Sequence, residues 1–462
     1  MKKIIKLLGV MIFLLILSKH PIKAFAEPSN PITYQPEVKV KLVPSSSFTL
    51  TILGDYQVVD IETNSIIPVS EPISISQENG VIFYAYGKQT GATTKGLNIQ
   101  EIRSSDANEV IVSTIKTVYG PKDVHYRGSL EIRPGESSPL LFNRLDIESY
   151  VQGVVPNEMP ASWPLEALKA QAVAARTYAY TQMTRNKTKG YLEMTVASQV
   201  YGGKSSEHSR SNQAVAETKG IYALYNNVPI DAVFHSSSGG HTEHSENVWL
   251  SSVPYLRGVN DPFDQHPNNY HYDWKTTATT ANIKQRLNLT DDQMLLDLRI
   301  SERGVSQAVT NMEAVIFDHQ TDSTSIISLK PTFVPYPDRF RSFFGVTLKS
   351  TKFSITSDAT TSIQLADGSV VETNYLTGYS MMDANGAVQK IKHEIQLPVK
   401  LTNGVVYVPT YPQSFTFSGD GWGHLLGMSQ WGARGMAEQG YTFKDILKHY
   451  YTGIDVKTWN PS

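Results

Sequence analysis

The sequence predicts an α+β protein: mixed β-sheets with a few packed helices, preceded by a small β-rich N-terminal module. Three observations lead there. From Glu37 to about Tyr119, apolar and polar residues alternate in short runs broken by Gly, Asn and Asp, the period of half-buried strands. Near Pro164 the spacing changes to three and four, in Leu165, Leu168, Ala172, Ala175 and Ala179, the signature of a helix with a narrow, alanine-rich apolar face. Residues 310–416 return to strand-like runs joined by long loops.

The bulk properties set the frame for these elements. A chain of 462 residues is long enough for two or three domains. Its 40% hydrophobic and 18% charged content is that of an ordinary folded protein and excludes disordered and collagen-like classes. With 41 basic and 43 acidic residues the net charge is −2, so no global field draws the chain to nucleic acid or an anionic membrane. Cysteine is absent, which excludes thiolate nucleophiles, disulfides and Cys-containing metal sites and leaves the core alone to hold the fold.

In order, the chain opens with Lys2, Lys3 and Lys6, then an apolar run from Leu7 to Leu17 broken only by Gly9, then Ala24-Phe25-Ala26. That order of charge, apolar stretch and small-x-small site reads as an export signal over residues 1–26. An uncleaved anchor, lengthened by Ile4 and Ile5, is the alternative. Either reading places the bulk of the chain outside the cytoplasm. Residues 27–36 are rich in Pro, Ser and Asn and read as a linker.

Residues 37–120 form the β-rich module, with strands at Val38–Val43 and Phe48–Ile52 and turns at Gly54-Asp55 and Asn79-Gly80. Residues 121–460 form a second, larger domain. There Tyr126–Arg133 reads as a strand before the Pro134-Gly135 turn. Asp146 caps a short helix that runs to Gln152 and stops at Gly153. Pro164 begins the alanine-rich helix, after Ser162 or Trp163 as cap, and one side of that helix should be buried. Residues 191–260 mix strands with polar loops, and residues 275–299 read as helical, anchored by Leu287, Met294, Leu295 and Leu298. Gly421–Ala433 leads into a helix closed by Gly440, and a Thr442/Asp445 capping box starts the last helix.

Chemistry concentrates in few places. Glu158 lies between Pro156 and Pro160, beside Met159 and near Trp163. Such neighbours desolvate a carboxyl and raise its pKa, as a general acid at neutral pH requires. A plain helix-start glutamate bonded to free backbone N–H groups is the competing reading. Lys169 and Arg176 are seven residues apart on the following helix and share one stripe with Glu166 and Tyr180. Such a stripe suits an anionic polymer or, equally, a solvated face with a Glu166–Lys169 ion pair.

Phe234–Trp249 holds His235, His241 and His244 with Glu243 and Glu246. The histidine spacing matches no compact metal motif, and Ser236–Ser238 lack the strand–turn–helix arrangement of a serine nucleophile. His424 lies among glycines in Gly421–Gly427, which let a backbone approach a ligand closely. Ser429, Gln430 and Trp431 follow it with polar tips and an indole face suited to a sugar ring.

Together these segments resemble the stage II sporulation protein D family, which includes the amidase enhancers. The resemblance runs through Gly153–Tyr178, Ser198–Gly203, Phe234–Trp249, Pro254–Val259, Arg339–Gly345 and Gly421–Ala433, in the family's order. It implies a lytic transglycosylase acting on peptidoglycan glycan strands that an amidase has stripped of peptides, ending them in 1,6-anhydromuramic acid. Glu158 falls on the family's catalytic glutamate, and Lys169 and Arg176 fall on positions tied to activity. Tyr201, His235 and His424 match polar groove positions. No cofactor is implied. Some members carry a Cys-x4-His-Cys zinc site where this chain has Leu192, Ala197 and Ser198, so that zinc is expected to be absent. The rival expectations are a non-catalytic glycan-binding protein that stimulates a cell-wall amidase, its partner, and a metal hydrolase built on the histidine cluster.

Overall fold

The computed structural model describes residues 30–117, 120–185, 189–383, 385–392 and 394–460. The expected export signal and the start of the linker lie outside the described residues. Strand Glu37–Leu42 buries Val38, Val40 and Leu42 and leaves the alternate residues half-buried, as its period of two requires. It pairs antiparallel with Leu140–Asp146, Glu37 facing Asp146. Around this pair a seven-stranded sheet forms in the order Leu192–Glu193, Glu37–Leu42, Leu140–Asp146, Ser129–Arg133, Leu97–Glu101, Tyr56–Asp60, Ile66–Ile67. A six-stranded sheet runs Gly120–Tyr126, Glu109–Thr117, Phe48–Leu53, Ile73–Glu78, Val81–Tyr86, Gln89–Thr93. The α+β class holds.

The boundary expected near residue 120 falls inside a hairpin, because Glu109–Thr117 pairs antiparallel with Gly120–Tyr126. Strands from both sides of it share the seven-stranded sheet. One apolar core runs without interruption from Val38 through the helices to Val456. The β-rich segment therefore continues into the fold that carries the site.

Asp146 ends the central strand and caps helix α1 (Ile147–Gln152), its carboxylate accepting the Glu148 and Ser149 N–H groups. At Gly153 a Cβ would meet the Tyr201 ring at 2.6 Å, so glycine serves close packing there. A single turn, α2 (Val155–Glu158), follows. Pro164 then supplies the carbonyl that accepts the Ala167 and Leu168 N–H groups and starts helix α3 (Leu165–Arg185).

Burial of α3 goes further than its narrow apolar face suggested. Ala167, Leu168, Ala170, Gln171 and every residue from Ala172 to Thr177 are buried, so α3 is enclosed on nearly all sides. Alanine at half of these positions lets neighbouring backbones approach closely. Helix α4 (Ser209–Glu217), in a segment expected to hold only strands and loops, packs along α3. A one-turn helix α5 (Glu246–Trp249) comes next.

Residues 275–299 depart from the expected helix. They form strand Trp274–Thr279, a short helix α6 (Thr280–Arg286) and the start of strand Gln293–Arg303. Leu287, Met294 and Leu298 fit a helical spacing by coincidence; antiparallel pairing of Gln293–Arg303 with Val309–Asp318 decides the outcome. These strands, with Phe353–Ser357, Ser414–Gly419 and helix α7 (Phe340–Phe343), enclose a second core around Phe340, Phe344, Phe415 and Phe417. Three exposed hairpins occupy residues 361–409. Helices α8 (Gln430–Glu438) and α9 (Phe443–Tyr450) return to α3. The Thr442/Asp445 capping box is formed in full. Among the described residues no helix is long and apolar enough to cross a membrane.

Candidate active site

A cavity of about 520 Å³ opens where α2, α5, α7 and the glycine-rich loop before α8 converge. Glu158, at the end of α2, projects into it. Local sequence builds its surroundings: Met159 is fully buried and Trp163 nearly so, packed on Trp431 at 4.9 Å between ring centres. Distant sequence supplies its hydrogen bonds. The Val200 N–H donates to Oε1 at 2.8 Å, and Gln430 Nε2 donates to Oε2 at 3.3 Å.

Burial pushes the Glu158 pKa up; those two donors favour the anion and oppose the shift without cancelling it. Glu158 keeps a fraction of accessible surface because one side faces the cavity, while protein packs its other sides. The carboxyl is thus an acid near solvent that its environment favours in the protonated form.

Parallel pairing of Phe234–His235 with Met428–Ser429 brings His235 and the residues before α8 to the same wall. His235 Nδ1 lies 3.0 Å from the Leu426 carbonyl, which can only accept, so Nδ1 carries the proton and Nε2 is left as an acceptor. Among the described residues that Nε2 has no hydrogen-bond partner. His424 accepts the Leu426 N–H through Nδ1 at 3.0 Å. Its ring lies 5.5 Å from His235 and 5.0 Å from Trp249.

Burial holds both imidazoles down at about 3, helped at His235 by the His424 charge and at both by Arg341. Both are neutral at physiological pH. They act as hydrogen-bonding walls and not as a charged acid pair.

Ser429 and Gln430 divide their labour. Ser429 is fully buried; its Oγ caps α8 through the Gly432 N–H and donates to Asp264 at 2.6 Å. Gln430 touches Glu158 and also approaches Gln171 at 3.5 Å. Asp264, also fully buried, accepts from Ser237, Ser429 and Tyr272 hydroxyls and from the Ser238 and Gly239 N–H groups. It fastens the serine–glycine loop to the start of α8, where Gln430 reaches Glu158.

Of the expected site residues, fully buried Ser429 supports the start of α8 and does not line the cavity, and three more lie elsewhere. Lys169 pairs with Glu166 and with Glu217 of α4, each at 2.7 Å. Arg176 is fully buried, its guanidinium spanning both Glu148 oxygens at 2.9 and 2.6 Å and reaching the Ile221 and Val215 carbonyls. Neither lines the cavity; the shared stripe is real, but its charges are consumed by α1 and α4. Tyr201 is buried too, its hydroxyl donating to Asn143 at 2.6 Å and its ring stacked on Tyr150. These three hold the scaffold together.

Other cavity residues escaped the sequence reading: Tyr178, Trp249, Trp422 and Arg341. Arg341 follows Phe340 in a run whose phenylalanines enter the second core, and that aromatic spacing was the available signal that an interposed arginine faces elsewhere. Ala197 and Ser198, at positions where some members of the resembled family have zinc ligands, form cavity wall, while Leu192 is buried in a strand. His244 accepts the Gly258 N–H, and Glu243 is buried among N–H and hydroxyl donors. Among the described residues no three His, Asp or Glu side chains converge as a metal site.

Comparison with known proteins gives consistent matches. A family model described as stage II sporulation protein matches residues 136–225, the stretch from α1 through α4 that carries Glu158. An amidase enhancer of Bacillus subtilis is 36% identical over 319 residues, 67% of this chain; the chain spans 40% of that relative's length. A stage II sporulation protein D of Bacillus subtilis is 30% identical over 328 residues, covering 68% of this chain and 74% of the relative. An uncharacterised protein of Brachyspira hyodysenteriae is 31% identical over 368 residues, with 79% and 80% covered.

Proposed function

The chain belongs to the stage II sporulation protein D family, and from that membership we propose that it is a lytic transglycosylase of cell-wall glycan. The observation that carries this reading is the solitary acid. Among the described residues lining the cavity, Glu158 is the one carboxylate. Ordinary glycosidases need two, about 5–9.5 Å apart, one to protonate the leaving oxygen and one to act as nucleophile or to activate water. A single carboxyl suffices when the attacking group belongs to the substrate.

Protonated Glu158 donates to the glycosidic oxygen between N-acetylmuramic acid and N-acetylglucosamine. The bond breaks through an oxocarbenium-like state, and the leaving sugar departs with the proton. The Glu158 anion, steadied by the Val200 and Gln430 donors, then takes the proton from the C6 hydroxyl of the muramyl residue. That oxygen closes a 1,6-anhydro ring, and the carboxyl is again protonated. Water is not consumed, and tethering the nucleophile removes the entropy cost of recruiting one. His235 Nε2 stands as an acceptor for a sugar hydroxyl or acetamido N–H, and Trp249 and Trp422 offer ring faces to the pyranose. Glycan of this kind lies outside the cytoplasm, in keeping with the expected export signal.

The printed name of the Bacillus subtilis amidase enhancer favours a second reading, a glycan-bound stimulator of a cell-wall amidase. Glu158→Gln separates the two. A transglycosylase loses anhydro-sugar release while remaining folded. A pure enhancer keeps its stimulation of the amidase and releases no anhydro-sugar even as wild type.

A further inference from the structure

Among the described residues lining the cavity, Arg341 is the one permanent cation. Helix α7 presents it: Phe340 and Phe344 stack at 6.2 Å and are buried in the second core, which fixes the turn while Arg341 faces the cavity. One of its N–H groups donates from Nη1 to Asp338 Oδ1 at 3.1 Å. Its Nε is buried and, among the described residues, has no acceptor. A guanidinium is a planar fork of five donors matched to a carboxylate, and a buried donor without an acceptor is costly unless a ligand completes it. Lys169 and Arg176 each make two short contacts to carboxylate oxygens, whereas Arg341 meets Asp338 through Nη1 alone and, among the described residues, keeps its Nε without an acceptor. The rest of the described wall includes neutral His235 and His424 and the rings of Trp249 and Trp422, with Glu158 as its one acid, which burial favours in its uncharged form; the anion beside Arg341 is Asp338, which engages it at 3.1 Å through Nη1.

We propose that Arg341 binds a free carboxylate carried by the sugar in this cavity, so that it is the residue that selects strands with exposed lactyl acids. The inference rests on the reading of the cavity as a glycan site. A lactyl group still joined to a peptide is an uncharged amide and offers the guanidinium no anion. A glycan of N-acetylglucosamine alone has no acid at all. Discrimination by Arg341 therefore depends on charge at one substituent and not on the length or the backbone of the strand.

The test measures binding of the full chain carrying Glu158→Gln, so that no strand is cut, with and without Arg341→Gln or Arg341→Lys. Two probes are used: amidase-stripped glycan strands and chitotetraose, which has no carboxylate. Arg341→Gln is expected to weaken stripped strands about 10- to 100-fold, the range for one charge-assisted hydrogen-bonded pair. It should leave chitotetraose within about twofold, below the effect of one ordinary hydrogen bond. Arg341→Lys should fall between, keeping the charge and losing the fork. Equal weakening of both probes, or no change in either, overturns the assignment of Arg341. Failure of the Glu158→Gln protein with Arg341 intact to bind either probe overturns the glycan reading itself, and so the two failures are distinguishable.

Discussion

Replacing Glu158 by Gln gives the sharpest physical test of the niche, because the two side chains differ in charge and hardly in shape. The side-chain carbonyl of the variant would keep the Val200 N–H bond, made at 2.8 Å in the wild type. Its amide N–H would face Gln430 Nε2, now 3.3 Å from Oε2, and a turn of the Gln430 amide would present an acceptor there. Gln171 could follow, since its Nε2 has no partner among the described residues and would then donate to Gln430. The number of hydrogen bonds at the site is preserved.

What changes is ionisation. The carboxyl pKa in the folded protein lies above its ordinary value of 4.5, chiefly through burial. A raised carboxyl stabilises the fold fully below its unfolded pKa, and that contribution is lost as pH rises through the folded pKa. Within this window the wild type loses up to about 1.4 kcal/mol per pH unit relative to a variant with nothing to ionise. For domains of 150–250 residues each kcal/mol corresponds to about 2–4 °C in Tm. Melting curves of both proteins from about pH 4 to about pH 8, a span around the ordinary carboxyl pKa, should show the variant gaining on the wild type as pH rises. A constant difference across that range, or a variant that falls behind with rising pH, would mean an ordinary or depressed pKa and would refute the general-acid argument.

Three further outcomes follow from the scaffold. Arg176→Met should cost about 3–5 kcal/mol in urea unfolding, since it strands Glu148 without its partner; a variant of unchanged stability that loses substrate affinity would restore Arg176 to the site. Tyr201→Phe removes the donor to Asn143 and should cost about 1–3 kcal/mol of stability with kcat/KM unchanged, so a fall in kcat/KM without loss of stability would contradict its structural role. Asp264→Ala leaves the Ser237, Ser429 and Tyr272 hydroxyls without their acceptor. Each buried donor so orphaned costs about 1–3 kcal/mol, and hydrogen exchange should reveal a loosened start of α8; unchanged protection there would show that Asp264 does not hold Gln430 in place.

The parts of the site legible in the sequence are those whose causes are local. Pro156, Met159, Pro160 and Trp163 surround Glu158 within a few residues, so its desolvation could be argued from the chain alone. Its hydrogen bonds could not, because Val200 and Gln430 lie 42 and 272 residues away in sequence. Lys169 and Arg176 show the same limit from the other side. Helical spacing set their common azimuth correctly, but only packing against α1 and α4 reveals that Glu148 and Glu217 reach them first. The histidines could be picked out by their glycine-rich surroundings, whereas the tautomer of His235 depends on a carbonyl 191 residues away. In the fold, period-two strands and capped helices were readable because each carries its own signal. The strand from Gln293 was misread because its hairpin partner, and not its own spacing, determines its state.

Digestion of amidase-stripped strands in water enriched in heavy oxygen, followed by mass spectrometry of the new ends, asks most directly whether a lone carboxyl performs the cleavage with the sugar's own hydroxyl. Anhydromuramic ends free of the heavy isotope are the predicted result. Reducing ends that carry it would show that water attacks the bond, and the one-carboxylate mechanism would be wrong.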